Sequence, residues 1–293
     1  MKPNGPCDVF DFGVIDENAD WIVVDKPAPL QVHPSKPGGP PTLWHGLRAL
    51  LACDLVDGDH LSIINRLDRE TSGLTIVAKR REAARRLHKA MMRRQIHKEY
   101  TAIVWGWPAW DALEIDAPIL RRGDVMDSDI YLMQAVHPDG AACRTSCRVV
   151  RRFASETSNG GRFSIIAATP HTGRMHQIRV HLAHAGFPLV GDKLYGPSPQ
   201  WYLRQIEHGW TPEAAAALLL PRHALHSSFL ALADEENVIS WHAPLPPDLA
   251  GFAGFAGFAG SGALVAAPGV PSRDRREASP RAPGSPAGSL EIP

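Results

Sequence analysis

The chain lacks any long apolar run. Across 293 residues the longest uninterrupted one, Ala214 to Leu220, falls far short of the ~20 residues a membrane-spanning helix needs. The segment Met1 to Asp20 is acidic and carries no apolar stretch of the secretory type, so the chain reads as a cytoplasmic protein. Cysteine is scarce: Cys7, Cys53, Cys143 and Cys147 include no Cys-x-x-Cys pair, which excludes a disulfide framework and argues against a thiolate metal site. No phosphate-cradling glycine loop, dinucleotide fingerprint or His-Glu-x-x-His string occurs. Net charge is also missing, since 31 Lys and Arg balance 31 Asp and Glu. That balance excludes a protein that coats polyanions indiscriminately.

What is present is an ordinary globular composition that changes once. From Gly251, three copies of Gly-Phe-Ala lead into a Pro-, Ser-, Ala- and Gly-rich stretch ending at Pro293. Such a segment buries too little apolar surface to offset the entropy of ordering it. Residues 1–250 are expected to form one domain and 251–293 a disordered tail. That tail is either dispensable or a partner-binding segment using Phe252, Phe255 and Phe258.

Within the domain, strands are expected at Val9 to Val14 and Trp21 to Val24, flanking the polar turn Asp16 to Asp20. Thr42 to Leu51 reads as a short helix capped by Thr42. A strand at Leu74 to Ala78 precedes a helix from Arg81 to Ile96, which buries Ala84, Leu87 and Met91 and turns Arg81, Arg85, Lys89 and Arg93 outward. Further strands are expected at Glu99 to Trp105, Arg148 to Phe153 and Arg162 to Ala167. His176 to Ala185 repeats the helical pattern until Gly186 and Pro188 stop it, and Thr211-Pro212-Glu213 opens another helix. No regular βαβ repeat emerges, so the fold class is mixed α/β, of the α+β kind.

Two local concentrations stand out. Between Lys79 and Lys98 there are nine Lys and Arg against one acid, Glu82, which makes a basic stripe. His171, His176, His181 and His184 crowd into fourteen residues. A three-histidine metal site is conceivable there, but no carboxylate accompanies the histidines before Asp192, and positioning a substrate or plain surface exposure fits them better. No metal is expected.

Two strings carry more chemistry. One runs Asn65-Arg66-Leu67-Asp68-Arg69-Glu70-Thr71-Ser72-Gly73-Leu74. The other runs Thr172-Gly173-Arg174-Met175-His176-Gln177-Ile178-Arg179-Val180-His181 and continues to Gly191-Asp192-Lys193-Leu194-Tyr195-Gly196. In the first, Asp68 sits between Arg66 and Arg69 in a polar turn before a strand. A carboxylate among guanidinium groups stays ionised and suits a nucleophile or base. The same arginines could bind phosphate, or the group could be a surface ion-pair cluster of little consequence.

Both strings resemble the signature motifs of the RluA family of RNA pseudouridine synthases. The similarity extends to Val24-Asp25-Lys26-Pro27-Ala28-Pro29-Leu30-Gln31-Val32-His33-Pro34, Lys98-Glu99-Tyr100, Asp116-Ala117-Pro118-Ile119 and Ala224-Leu225-His226, in the family's order over roughly residues 9–248. The resemblance implies a central, mainly antiparallel sheet flanked by helices, with a catalytic cleft. It implies that the chain isomerises uridines in ribosomal or transfer RNA, the alternative being a catalytically silent RNA-binding relative. Asp68 matches the catalytic aspartate, Tyr100 the tyrosine that stacks on the base, and Arg179 the basic partner of the aspartate. Arg66 matches an arginine that fills the gap left by the extruded nucleotide, and Leu225 an apolar wall of the pocket.

Arg66, Arg69, Arg174, His176 and Gln177 of the motifs are expected to contact RNA, joined by Arg85, Arg86 and Lys89 of the basic helix lying beside the cleft. The implied reaction conserves every atom, so no cofactor is expected. A compact stem-loop is the expected partner and a monomer the expected state. Two departures stand out: Asn65 replaces a usual His, and Pro29 stands where Gly is common. With the Lys-Pro motif beginning at Lys26, no N-terminal RNA-binding domain of the S4 type is expected.

Overall fold

The computed structural model describes residues 12–52, 61–155, 161–234 and 237–254. The chain opens with β1 (Gly13–Glu17) and β2 (Trp21–Lys26), an antiparallel hairpin. Asn18 makes its turn, its Oδ1 accepting the amides of Asp20 and Trp21 at 2.8 and 2.9 Å. The first strand therefore runs to Glu17, past the expected Val14, while Val9 to Asp11 lie outside the described residues. In β2 the residues alternate between two apolar clusters, Ile22 and Val24 in one and Trp21 and Val23 in the other. This strand is buried on both faces.

Next come α1 (Leu43–Leu50), β3 (Ser62–Ile63), β4 (Ser72–Ala78), α2 (Arg81–Met92) and β5 (Ile96–Trp105). Thr42 heads α1, its amide donating to His45 Nδ1 at 3.3 Å. The middle of the chain gives β6 (Ala112–Asp116), a separate hairpin of β7 (Ile119–Arg121) and β8 (Gln134–Val136), β9 (Arg144–Ser155) and β10 (Gly161–Pro170). Then follow α3 (Gln177–His184), α4 (Gln200–His208), α5 (Pro212–Leu218), β11 (Leu225–Asp234), β12 (Asn237–His242) and α6 (Pro247–Phe252). Among the described residues no helix is long and apolar enough to cross a membrane.

Ten strands form one sheet in the order β1-β2-β4-β11-β5-β10-β9-β6, with β3 added on β4 and β12 on β11. All pairs are antiparallel except β4 with β11. The α+β class and the mainly antiparallel sheet agree with the sequence reading. One cluster on the sheet holds Tyr100, Val77, Leu225, Leu43 and Leu47 of α1, and Ile178 and Leu182 of α3. Another holds Leu74, Ile76 and Ala78 with the Ala83, Ala84, Leu87 and Ala90 face of α2. The alternation of β4 divides the two.

The β4–β11 pair brings together segments about 150 residues apart, with His226 beside Ser72 and Ser227 beside Gly73. Gly73 makes that approach possible. Its φ is +110°, and a Cβ there would lie 2.3 Å from the Ser227 carbonyl oxygen. Gly73→Ala is expected to lower folding stability by roughly 2–4 kcal/mol, from left-handed strain plus overpacking. Denaturant melts would measure it, and an unchanged midpoint would contradict so close an approach.

The sequence reading misplaced two boundaries. The basic helix ends at Met92 and not Ile96, because Arg94 takes a left-handed conformation (φ 58°) that turns the chain into β5 at Ile96. Ala90 takes the core position, and Met91 is only partly buried. At the other end, α6 crosses residue 250. Phe252 packs edge-on to Phe163 at 5.1 Å between centroids, and Ala253 is fully buried. The first Gly-Phe-Ala copy thus belongs to the folded body, while Phe255 and Phe258 lie outside the described residues.

Candidate active site around Asp68

Asp68 stands on the loop between β3 and β4, and that loop is tied down on several sides. Asn65 is buried and pairs with β4 as a strand residue would, its Nδ2 donating to Leu74 O (2.9 Å) and its Oδ1 accepting from Ile76 N (2.8 Å). An Asn at this position therefore anchors the loop through backbone groups. The Arg69 carbonyl accepts Leu30 N at 2.9 Å and Lys26 Nζ at 3.3 Å. Lys26 is fully buried and also donates to the carbonyls of Pro27 and Leu30, and burial, with the nearby Arg222 charge, pushes its pKa down to about 7.

Glu70 receives Lys193 Nζ on both carboxylate oxygens, at 2.8 and 2.9 Å. Its carbonyl accepts from Arg222, which forks onto Asp248. Thr71 shares a 2.7 Å hydrogen bond with the buried His223, and its amide donates to the Asp68 carbonyl. These bonds fix the Asp68 backbone without touching its carboxylate.

The carboxylate faces α3. Arg179 Nη1 donates to Asp68 Oδ2 at 3.0 Å, while its Nε and Nη2 fork onto Asp192 at 2.8 and 2.9 Å. Asp192 Oδ1 also accepts the amides of Leu194 and Tyr195. One guanidinium thus lies between two carboxylates with different fates. The Asp192 side chain is fully buried and Arg179 6% exposed, whereas Asp68 is 30% exposed. Only Asp68 is reachable. Burial opposes its charge, but the Arg179 charge and hydrogen bond hold its carboxyl below the usual range. Asp192 is also held below the usual range, the Arg179 charge and fork outweighing complete burial. Asp68 is therefore ionised at neutral pH, as a nucleophile or base must be.

His176 completes this wall. It enters α3 in a left-handed conformation (φ 56°) that non-glycine residues seldom adopt. Its Nδ1 lies 2.7 Å from the Tyr195 hydroxyl, which accepts the Gln134 amide at 3.0 Å. With that amide on its oxygen the hydroxyl is free to give its hydrogen to Nδ1, the arrangement that leaves the imidazole proton on Nε2. That Nε2 is 3.9 Å from Asp68 Oδ2. Burial and the Arg179 charge push the His176 pKa down to about 4, so the ring is neutral.

Tyr100 projects from β5 opposite Ser227 and Ala168 into the cluster with Leu67, Val32, Ile178 and Leu225. Burial pushes its phenol up to about 12 against a Ser227 hydrogen bond, and the Asp68 charge adds to the rise. Tyr100 therefore keeps its proton. Leu225 is buried in that same cluster. Arg66, Arg69 and Arg174 are exposed, and Arg174 also reaches the Ala142 carbonyl at 3.4 Å.

Three expectations need correcting. Gln177 is not a surface residue able to contact RNA: it is buried, its Oε1 accepts from Thr172 and Arg174, and its Nε2 donates to Arg144 O and Thr145 Oγ1. All its hydrogen-bonding capacity holds the start of α3. Gln177→Ala is expected to lower stability by about 1–3 kcal/mol, read from melting. Unchanged melting with weakened RNA binding would return Gln177 to the interface.

The basic helix α2, with Arg85, Arg86 and Lys89 exposed, does not adjoin Asp68. It packs on the β4 face opposite Val77, and Arg86 pairs with Asp20 at 2.8 Å. The clustered histidines also separate. His181 is buried between Thr145 and the Ala117 carbonyl, and His171 bonds Ser146. Among the described residues no three His, Cys, Asp or Glu side chains group as metal ligands.

Sequence reasoning assigned no role to Lys26, Glu70, Asp192, Lys193, Tyr195, Arg222 or His223. The string Gly191 to Gly196 was the available signal for three of them, Asp192, Lys193 and Tyr195.

A family model described as RNA pseudouridylate synthase matches residues 20–184. The chain is 36% identical over 247 residues to the ribosomal large subunit pseudouridine synthase D of Nitrosomonas europaea, covering 81% of this chain and 63% of that one. It is 35% identical over 239 residues to the protein of the same name from Yersinia pestis, covering 80% and 68%. The chain thus spans 63% of the length of the first of these relatives. The solved structure of human RNA pseudouridylate synthase domain containing 1 superposes with a TM-score of 0.61 at 22% identity, covering 85% of this chain and 89% of that one, which shows a shared fold. Asp68, Tyr100 and Arg179 all fall inside the matched segment, and the chain belongs to the RNA pseudouridylate synthase family.

Proposed function

We propose that the protein converts selected uridines in RNA to pseudouridine, with Asp68 as the group that engages the target nucleotide. One observation carries this reading: the loop carboxylate is kept ionised by Arg179, is open to solvent, and belongs to the same site as the protonated phenol of Tyr100. The reaction breaks the bond between C1′ and uracil N1, turns the base, and joins C1′ to C5, releasing the C5 hydrogen as a proton while N1 takes one up. Atoms and electrons balance without an oxidant or reductant. Tyr100 stacks on the base, Leu225 walls the pocket, and the proposed setting is a monomer acting in the cytoplasm.

A uridine must leave its stack to reach Asp68, at a cost of a few kcal/mol. Arg66 fills the vacated gap, and Arg69 and Arg174 hold neighbouring phosphates. Replacing Arg66 and Arg69 with Ala is expected to weaken RNA binding and to lower the slope of log K against log salt by ~1 per lost phosphate contact. The same change at Arg85, Arg86 and Lys89 is expected to do less, since α2 packs away from Asp68. An equal or larger effect there would move the RNA path onto α2.

Ribosomal large-subunit RNA is the proposed substrate, on the strength of the relatives' names. Digestion of ribosomal and transfer RNA transcripts after incubation, with nucleoside analysis for pseudouridine, tests this. Pseudouridine in the ribosomal transcript supports the proposal. Its appearance in transfer RNA alone would redirect the substrate, and its absence from both, with binding intact, would favour the silent RNA-binding relative.

A further inference from the structure

We propose that the Nε2–H of His176 is a second substrate-facing group of this site: a neutral donor, set in place by Tyr195, for a carbonyl oxygen of the uracil ring. The inference rests on the activity proposed above and names how the pocket receives the base.

Three observations lead to it. First, the His176 side chain is only 8% exposed, yet among the described residues its Nε2 has no hydrogen-bond acceptor. The nearest charged oxygen, Asp68 Oδ2, is 3.9 Å away, beyond bonding distance. Nε2 is not among the side-chain atoms sealed from solvent without a partner, so it is open to a ligand that supplies the acceptor. Second, Tyr195 favours one tautomer. Its oxygen accepts the Gln134 amide and its O–H is free to donate to Nδ1, which puts the imidazole proton on Nε2, the nitrogen nearer Asp68. Third, His176 occupies a left-handed backbone conformation, a strain that persists only where the surroundings enforce it. The Arg179 guanidinium, 5.0 Å over the Tyr195 ring, fixes the phenol that does the enforcing.

The ligand follows from the chemistry. Uracil presents two carbonyl oxygens, both acceptors, and the base must be held while it is detached and turned. A neutral N–H suits this task. It stabilises negative charge that develops on a carbonyl oxygen without pairing permanently with Asp68. A permanent cation in that position would compete with Arg179 for the carboxylate.

The test compares His176→Phe, which keeps ring bulk without a donor, with His176→Gln, whose amide N–H falls near Nε2. Both carry the same backbone strain. On RNA with C5-tritiated uridine, His176→Phe is expected to lower kcat about 10- to 100-fold, with KM for RNA within about twofold because phosphate contacts set affinity. His176→Gln is expected to recover most of the loss. Nitrogen-15 NMR of the RNA-free protein should show the Nε2–H tautomer in wild type and a mixture in Tyr195→Phe.

Full activity in His176→Phe, equal impairment in His176→Gln, or an Nδ1–H tautomer in wild type would overturn the inference. Wild-type protein that releases no tritium at all would instead overturn the proposed activity. The NMR experiment needs no RNA, so the two failures are distinguishable.

Discussion

Asp68→Asn is expected to abolish tritium release from C5-tritiated RNA, by roughly 10⁴-fold or more, while RNA affinity stays within about threefold. Asn is nearly isosteric, and its carbonyl can still accept Arg179 Nη1 across the 3.0 Å the carboxylate spans. A neutral amide, however, neither attacks carbon nor takes up a proton at neutral pH. The fold has little reason to respond: the loop is fixed through Asn65, Arg69, Glu70 and Thr71, none of whose bonds uses the Asp68 side chain. Arg179 also keeps its fork on Asp192. Activity within tenfold of wild type would remove Asp68 from the centre of the site.

Arg179→Gln is expected to fail in two ways. Asp192 would keep a fully buried carboxylate without its counter-charge, and breaking such a pair lowers stability by about 3–5 kcal/mol. Turnover would fall as well, because the largest influence holding Asp68 ionised against its burial is gone. The double variant Arg179→Gln, Asp192→Asn separates the effects by restoring much of the stability and none of the activity.

The pH response follows from the direction of the shifts. In wild type, Asp192 and Asp68 are held below the ordinary carboxylate value of 3.8, so their contribution is fully present above that value and is lost as pH falls through the lowered folded values. In Arg179→Gln, burial dominates and the Asp192 value rises above 3.8. The variant is then expected to gain stability, relative to neutral pH, as acid protonates Asp192. Denaturant melts at pH 7 and pH 5 would show it. A variant as stable as wild type at pH 7 would mean that Asp192 is not sealed from water.

Motif and periodicity made the local parts of this account readable. The apolar stripe of α2 and the Thr211 cap, which accepts Ala214 N at 3.3 Å, are short-range effects that leave a short-range pattern. Asp68, Tyr100 and Arg179 came from resemblance, since nothing in their local chemistry says that residues 111 apart share a hydrogen bond. What stayed hidden is long-range. Lys26 reads as a surface lysine until the Arg69 carbonyl is found above it, and Gln177 reads as a polar helix residue until Thr172, Arg144 and Thr145 surround it. The helix ending at Met92 was missed because a left-handed arginine at 94 breaks no propensity rule strongly. Phe252 was assigned to the tail because its composition matches that segment, although Phe163 holds it in the core.

The most direct test is tritium release from ribosomal RNA carrying C5-tritiated uridine, with wild type and Asp68→Asn measured side by side. Joining C1′ to C5 must expel the C5 hydrogen, so the account predicts release by wild type and none above background by the variant. Release by both proteins, or by neither while both bind RNA, would contradict it.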